Sequence, residues 1–319
     1  MNNTQKPIRP FQQYWKIFGK AIGGFMDDKV LKLSAALAYY TIFSIAPMLI
    51  IIIYLCDIFL GREAIEGSIY GQIRGLVGES AAVQIQQIIE NSTLSQDMSW
   101  ATIVGFVALI VGATGVFSEI QDSINTIWRL KAKPKKGFLK LVINRLLSFS
   151  LVISLGFILL VSLALNGIIE ILNNRLTAMF PGIAVITAYV FNVVLTFGII
   201  TLLFGIIFKV LPDARIKWKD VLVGALTTAA LFMLGKFAIG YYLGASKVGS
   251  TYGAAGSIVI VLLWVYYSAA ILYFGAVFTR IYVERNGCHI EPNDYAVWVK
   301  QIEAEADTLE DTHKAVIKK

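Results

Sequence analysis

Six apolar segments, each long enough to cross a lipid bilayer as a helix, punctuate this 319-residue chain. A helix needs about 20 consecutive apolar residues to span the hydrocarbon core, and inside lipid only helices and closed barrels satisfy their own backbone. The segments run from about Leu33 to Cys56, Trp100 to Phe117 (with a helical continuation towards Trp128), Leu141 to Leu165, Ile183 to Leu211, Val221 to Leu243 and Ser257 to Ile281. Charged residues make up 15% of the chain, against roughly a quarter in a soluble domain, so much of it is kept from water. The fold class expected is all-α: one polytopic bundle of about six transmembrane helices. The first apolar run is too long for the core of a cleavable signal, so it is expected to remain as an anchor.

The basic residues orient the bundle. Of the 28 Lys and Arg, twenty-three fall before span one, around the connection of spans two and three, around that of spans four and five, or at and beyond the end of span six. Four (Arg62, Arg74, Arg175 and Lys247) fall on the other side, and Lys236 lies inside span five. Cytoplasmic loops carry the Lys/Arg excess, so both termini are expected inside the cell. The net charge of +7 is then a topological signal that also favours anionic lipid, and no nucleic-acid partner is needed to explain it. The organisation read from this pattern is a cytoplasmic amphipathic N-terminus at 1–32, a membrane domain at 33–285 and a cytoplasmic polar tail at 286–319. The expected location is a bacterial cytoplasmic (inner) membrane.

Two regions outside the spans carry helical periodicity. In the extracytoplasmic stretch 61–99, Ile65, Ile69, Ile73 and Leu76, then Ile85, Ile88 and Ile89, suggest two short amphipathic helices. They read either as a packed lid or as a gate. Near the N-terminus, Phe11, Trp15, Phe18 and Ile22 share a face beside Lys16 and Lys20, which suits a helix lying on the inner membrane surface. The tail after Asn293 is polar and acidic and compatible with a helix.

Chemistry is sparse. Cys56 and Cys288 are expected on opposite sides of the membrane and form no disulfide framework. His289 and His313 have no companion at metal-ligand spacing, and the sequence holds no P-loop, dinucleotide fingerprint or nucleophile elbow. No metal or cofactor is expected. Glu119 and Asp122, one helical turn apart, suit pairing with the basic loop that follows, or else holding a cation. Ionisable groups within spans are costly and so draw attention. Lys236 either snorkels outward or faces a polar cavity, while Asn192 and Asn166 suit interhelical hydrogen bonds. Glu170, one turn after Asn166, suits the outer interface. Span one is polar, with Ser34, Tyr39, Tyr40, Thr41 and Ser44 ahead of Pro47, which should kink it near Phe43. Gly249, Gly253 and Gly256 around Tyr252 permit either close packing or an unwound helix start.

Three blocks carry a family resemblance. The run Ala35-Ala36-Leu37-Ala38-Tyr39-Tyr40-Thr41-Ile42-Phe43-Ser44-Ile45-Ala46-Pro47 resembles the first-helix signature of the YihY/BrkB membrane family. Leu211-Pro212-Asp213-Ala214-Arg215, Trp218-Lys219-Asp220-Val221 and Gly235-Lys236 resemble its span-four-to-five block, and Ser250 to Ser257 with Leu263 to Ser268 its last helix. The likeness covers about Leu33 to Arg285. It implies a six-helix bacterial inner-membrane protein. Labels attached to the family include ribonuclease BN and virulence factor, and movement of lipids or other molecules has been suggested for relatives. One departure stands out: where many relatives carry a Gln and a Glu in the last helix, this chain has Ala270 and Val277, seven residues apart and on one helix face.

The leading expectation is a non-enzymatic transporter of a lipid or other amphipathic molecule, working without nucleotide hydrolysis, with membrane lipids as its partners and its oligomeric state open. Its path is expected among spans one, five and six. Tyr39, Tyr40, Ser44 and Pro47 would shape it, and Lys236 and Tyr252 would meet a polar or anionic group. Pro212, Asp213 and Arg215 would fix the inner turn, with Asp213 pairing Arg215 or Lys217. The rivals are a membrane scaffold recruiting partners through the tail and, third, a membrane-bound ribonuclease.

Overall fold

The computed structural model describes residues 10–44, 83, 115–133, 181–245, 256–285, 287 and 289–299. In chain order the described elements are α1 (Pro10–Asp27), α2 (Val30–Ser44), α3 (115–127), β1 (Leu130–Ala132), α4 (Pro181–Val210), β2 (Ala214–Arg215), α5 (Trp218–Ala245), α6 (Gly256–Arg285), β3 (Glu291–Pro292) and β4 (Ala296–Trp298). The chain is a helical membrane protein. Helices α4, α5 and α6 are long and apolar enough to cross a bilayer, with mean hydropathies of 2.5, 1.8 and 2.1 over Val190–Val210, Trp218–Tyr242 and Ile258–Arg285. They stand where spans four, five and six are expected. The described parts of α2 and α3 fall within span one and in the continuation of span two. The rest of the first three spans, with Pro47, and the loop 61–99 apart from helical Val83, lie outside the described residues.

Local chemistry sets the helix ends. Pro181 occupies the first position of α4, where a missing N–H costs nothing, and Pro212 follows its last turn. α5 starts on the Lys217 carbonyl, which accepts from the amides of Asp220 (3.0 Å) and Val221 (3.1 Å). Asp220 in this first turn complements the helix dipole. α6 ends in Arg285, and Gly287 at φ +72° turns the chain away. Hydroxyls inside the spans bond within their own helix: Thr201 to Phe197 O, Thr228 to Gly224 O, Ser268 to Trp264 O and Thr279 to Gly275 O. Ser34 and Thr41, part of the polar character of span one, do the same with Val30 O and Leu37 O. Such back-bonding lets a hydroxyl enter an apolar medium without a partner helix.

Of the three long helices, α5 is the middle one, packed on α4 and on α6. Phe232 of α5 meets Phe204 of α4 at 5.7 Å and Trp264 of α6 at 5.8 Å, both edge-on. The α5–α6 seam is tighter still. A Cβ on Gly224 would meet Thr279 Oγ1, one on Gly275 would meet Thr228 Oγ1, and one on Gly235 would meet the Tyr267 ring. Glycines on both helices thus accept side chains of the other, as small residues do where helices associate in lipid. Across 224–235 and 267–279 the seam leaves no room for a solute.

α1 packs against α6 through a stripe beside the one that its periodicity assigns to the membrane surface. Phe18 and Phe25 reach Phe274 (5.3 and 6.1 Å between ring centroids), and Ile17, Ala21 and Gly24 are buried. Trp15 and Ile22, on the face expected to lie on the inner membrane surface, are exposed. Val277 is fully buried beneath Gly24, an apolar contact.

The tail also departs from expectation. Residues 296–298 form a strand rather than a helix. β4 pairs antiparallel with β1 (Leu130↔Trp298, Ala132↔Ala296), and β3 pairs antiparallel with β2 (Ala214↔Pro292, Arg215↔Glu291). The run Tyr295-Ala296-Val297-Trp298-Val299 is rich in β-branched and aromatic residues, and the Trp298 indole locks the turn by donating to Ile290 O at 2.8 Å. Residues 289–299 therefore bind together the chain after α3 and the α4–α5 turn.

Overpacking a close helix seam costs about 1–3 kcal/mol. Gly235→Ala, against Tyr267, is expected to lower the thermal midpoint of the detergent-purified protein clearly. Gly240→Ala, whose Cβ meets nothing within 4 Å, should leave the midpoint unchanged or slightly raised. Equal midpoints for the two variants would contradict the packing described.

Candidate functional site

The polar side chains gather at the end of the bundle that carries the basic residues, called here the basic end. Two buried carboxylates organise it. The first is Asp28, in the turn between α1 and α2, with its side chain 1% exposed. Arg129 Nη2 lies 2.6 Å from Asp28 Oδ1, and Arg280 Nη2 lies 3.0 Å from Oδ2. Arg280, 12% exposed, also donates to Ile127 O and stands 3.9 Å from Glu284. Trp128 completes the junction by donating from its indole to Ala276 O at 3.0 Å. Two non-glycine residues with left-handed backbone frame this cluster, Lys29 at φ 52° and Arg129 at φ 58°. Each ends a helix by turning sharply, a conformation that costs an ordinary residue roughly 1–2 kcal/mol.

The second carboxylate is Asp213, in the α4–α5 turn. Its Oδ1 accepts from Gln121 Nε2 (3.0 Å) and its Oδ2 from Asn125 Nδ2 (3.1 Å), while its own amide donates to Asn125 Oδ1 (2.9 Å). Gln121 and Asn125 stand one turn apart on α3, so one helix face reads both carboxylate oxygens. The Asp213 carbonyl accepts from Asn293 N at 3.0 Å, joining the tail to the same turn. Burial, with the Asp213 charge adding to it, holds the Tyr295 phenol above its usual pKa. Arg215 turns the other way and pairs with Asp294 at 2.7 Å. The expected Asp213–Arg215 pairing is thus replaced by two α3 amides on Asp213, because Arg215 sits on the strand that faces the tail.

Beside this turn lies an open cavity of about 820 Å³. The ends of α4 and α6 give it apolar wall at Val210 and Val283, and Trp298 adds an aromatic one. Lys209, Lys217, Asp220, His289 and Glu291 line its polar part. Lys209 donates to Ile216 O at 2.5 Å and stands 5.7 Å from the Trp218 ring.

The residues singled out in the sequence distribute as follows. Tyr39 and Tyr40 are exposed on α2, their ring centroids 6.0 Å apart, and Tyr39 also meets Phe43 at 5.0 Å. Ser44 is buried, facing Gly115 of α3. Lys236 is half-buried on α5, next to the Gly235–Tyr267 contact. Pro47 and Tyr252 lie outside the described residues. Pro212, Asp213 and Arg215 share the α4–α5 turn and its strand. Glu119 accepts from Ser123 of its own helix at 3.3 Å. Sequence reading passed over Asp28, Arg280, Gln121 and Asn125. A signal existed for the last two: amides at i and i+4 amid Phe117, Ile120, Ile124 and Ile127 are polar residues on an otherwise apolar helix face.

Among known proteins, the family model described as "Virulence factor BrkB" matches residues 21–295. A UPF0761 membrane protein of Stenotrophomonas maltophilia is 26% identical over 255 residues, covering 79% of this chain and 57% of that protein. One from Xanthomonas campestris is 27% identical over 254 residues, with the same two coverages. One from Saccharophagus degradans is 26% identical over 287 residues, 88% of this chain and 63% of that protein. The chain thus spans about three-fifths of the length of these relatives. No solved structure matches it.

Removing one partner of a buried ion pair strands the other and costs about 3–5 kcal/mol. Asp28→Asn is expected to destabilise the protein by that order, read as a fall in thermal midpoint. Arg280→Gln should cost more than Arg129→Gln, since Arg129 is 35% exposed and Arg280 only 12%. The reverse ranking would show that Arg129 carries the cluster.

Proposed function

This chain belongs to the BrkB family of membrane proteins, and from that premise we propose that it is a transporter of the bacterial cytoplasmic membrane, moving a lipid or other amphipathic molecule without nucleotide hydrolysis. The observation that carries the reading is the cavity at the basic end. Its apolar wall is made by the ends of two spans and its polar part by charged side chains. A pocket with these two surfaces suits a molecule with an apolar part and a charged part, and its volume lies within the roughly 300–1,000 Å³ of ligand pockets. The closed α5–α6 seam argues against a path between those two helices. The path would instead use a flank of α5 that Lys236 borders, with the exposed Tyr39 and Tyr40 of α2 as amphipathic surface at the lipid interface.

Purified protein in vesicles containing a fluorescent short-chain lipid tests this. Dye in the inner leaflet should become accessible to an impermeant quencher much faster than in protein-free vesicles. Lys236→Ala and Tyr39→Ala should each slow that movement by about tenfold, the size of one lost polar contact. Folded variants that work at the wild-type rate would rule out these residues, and wild-type protein with no effect would rule out the transport of such lipids. The scaffold reading is separated by ending the chain after Val299, which keeps both strand pairings. A transporter should keep its rate, whereas a scaffold acting through the acidic tail should lose its partner.

A further inference from the structure

The cavity lining has side chains of both signs of charge, and several of them make no ion pair. Among the described residues, the side chains of Lys217, His289, Asp220 and Glu291 have no ion pair or hydrogen bond. Lys209, its amine on the Ile216 carbonyl, and Arg215, paired with Asp294, add further cations to the lining. The first turn of α5 opens here as well. The Asp220 and Val221 amides are taken by the Lys217 carbonyl, which leaves the first amides of the helix with no intrahelical acceptor.

We propose that this cavity binds the head of a phospholipid that carries both a phosphate and a primary amine. The proposal deepens the lipid-transport reading and rests on it for its biological sense. The phosphate meets Lys217, Lys209 and the start of α5, since cations and open helix amides together favour a phosphate oxyanion. The amine meets Asp220 and Glu291. A headgroup with phosphate alone would leave those two carboxylates facing an anion, so the same residues that accept the amine reject purely anionic lipids. Val210 and Val283, at the last turns of two spans, place the site where the glycerol and first acyl carbons of a bilayer lipid meet its head. Trp298 supplies a broad amphipathic wall at that level.

The test is a binding titration of the purified full chain in detergent, followed by tryptophan fluorescence. Three probes are compared: short-chain phosphatidylethanolamine, short-chain phosphatidylglycerol and soluble phosphoethanolamine. The wild type should bind the amine-bearing lipid about tenfold more tightly than phosphatidylglycerol, one charged contact's worth of discrimination. The Asp220→Asn, Glu291→Gln double variant should lose that preference while still binding both lipids. Lys217→Gln should weaken both lipids by about the same factor. These residues are on the cavity surface, so an unchanged circular dichroism spectrum is expected and separates lost binding from lost folding. Equal affinity for the two lipids in the wild type overturns the proposal, as does a preference that survives in the double variant. Soluble phosphoethanolamine binding as tightly as the lipid also overturns it, because the occupant would then be a water-soluble ester. Binding preference intact with no transport in vesicles sinks the transport reading alone. Transport intact with no preference sinks the headgroup assignment alone.

Discussion

A carboxylate that is almost wholly sealed from solvent, Asp28, ties the basic end of the bundle together. Its two arginines come from the far end of α3 and from α6, more than a hundred and two hundred and fifty residues away in sequence respectively. Cations brought together at one end of a membrane protein orient it, yet they also repel one another where the chain must pack. A carboxylate placed among them converts part of that repulsion into attraction. Its burial is tolerable only because both oxygens face guanidinium groups. The surrounding contacts follow from it: Arg280 reaches the Ile127 carbonyl, Trp128 reaches Ala276, and Gly24 lets α1 sit close upon Val277. In this arrangement of α1, α3 and α6 both Asp28 oxygens face a guanidinium.

The long helices are joined by a different principle. Between α5 and α6 no ion pair is needed, because glycine on one helix faces threonine or tyrosine on the other at three points. Contacts this close leave little freedom to slide, so α5 and α6 behave as one unit. α4 approaches α5 less tightly, with a Cβ on Gly205 lying 3.9 Å from Ala225. A bundle so built has a stiff pair of helices and an open basin at their end. Any rearrangement that accompanies binding would have to be taken up by the α4–α5 turn and the helices outside the pair.

These two principles differ in how far the sequence displays them. The last three spans are legible because lipid imposes length and apolarity on a whole segment. The expected Ile183–Leu211, Val221–Leu243 and Ser257–Ile281 answer to α4, α5 and α6 with ends shifted by a few residues. Those shifts come from Pro181, Lys217 and Arg285, polar or capping residues that extend a helix past its apolar run. The Gly235-Lys236 block was legible as a motif, though the reason for its glycine, a tyrosine from another helix, lies thirty-two residues away. The site was far less legible. Arg129 and Arg280 were counted as topological charges, because a tally of cations says nothing about which of them is buried. Asp213 was expected to pair with Arg215 or Lys217, whereas its carboxylate accepts from amides eighty-eight and ninety-two residues earlier. Strands of two and three residues carry too little pattern to be read at all, so the tail's return onto the body was invisible.

That return explains why the cavity exists. A helical hairpin such as α4–α5 ordinarily ends in a short exposed turn with nothing to shape a pocket. Here β3 pairs with the strand that leaves the turn, β4 pairs with the strand that leaves α3, and Asn293 bonds the Asp213 carbonyl between them. The tail thus closes one side of a basin whose other sides are span ends, and contributes His289, Glu291 and Trp298 to its lining. Ala214, Arg215 and Glu291 of the β2–β3 pair and Trp298 of β4 also line the cavity, so occupation of the basin bears on the turn that α3 holds through Asp213. A ligand seated against Glu291 and Asp220 would stiffen β2–β3, and through Asp213 it would stiffen the end of α3. The polar network at the basic end is in this sense the mechanical connection between the cavity and the helices that carry Asp28's partners.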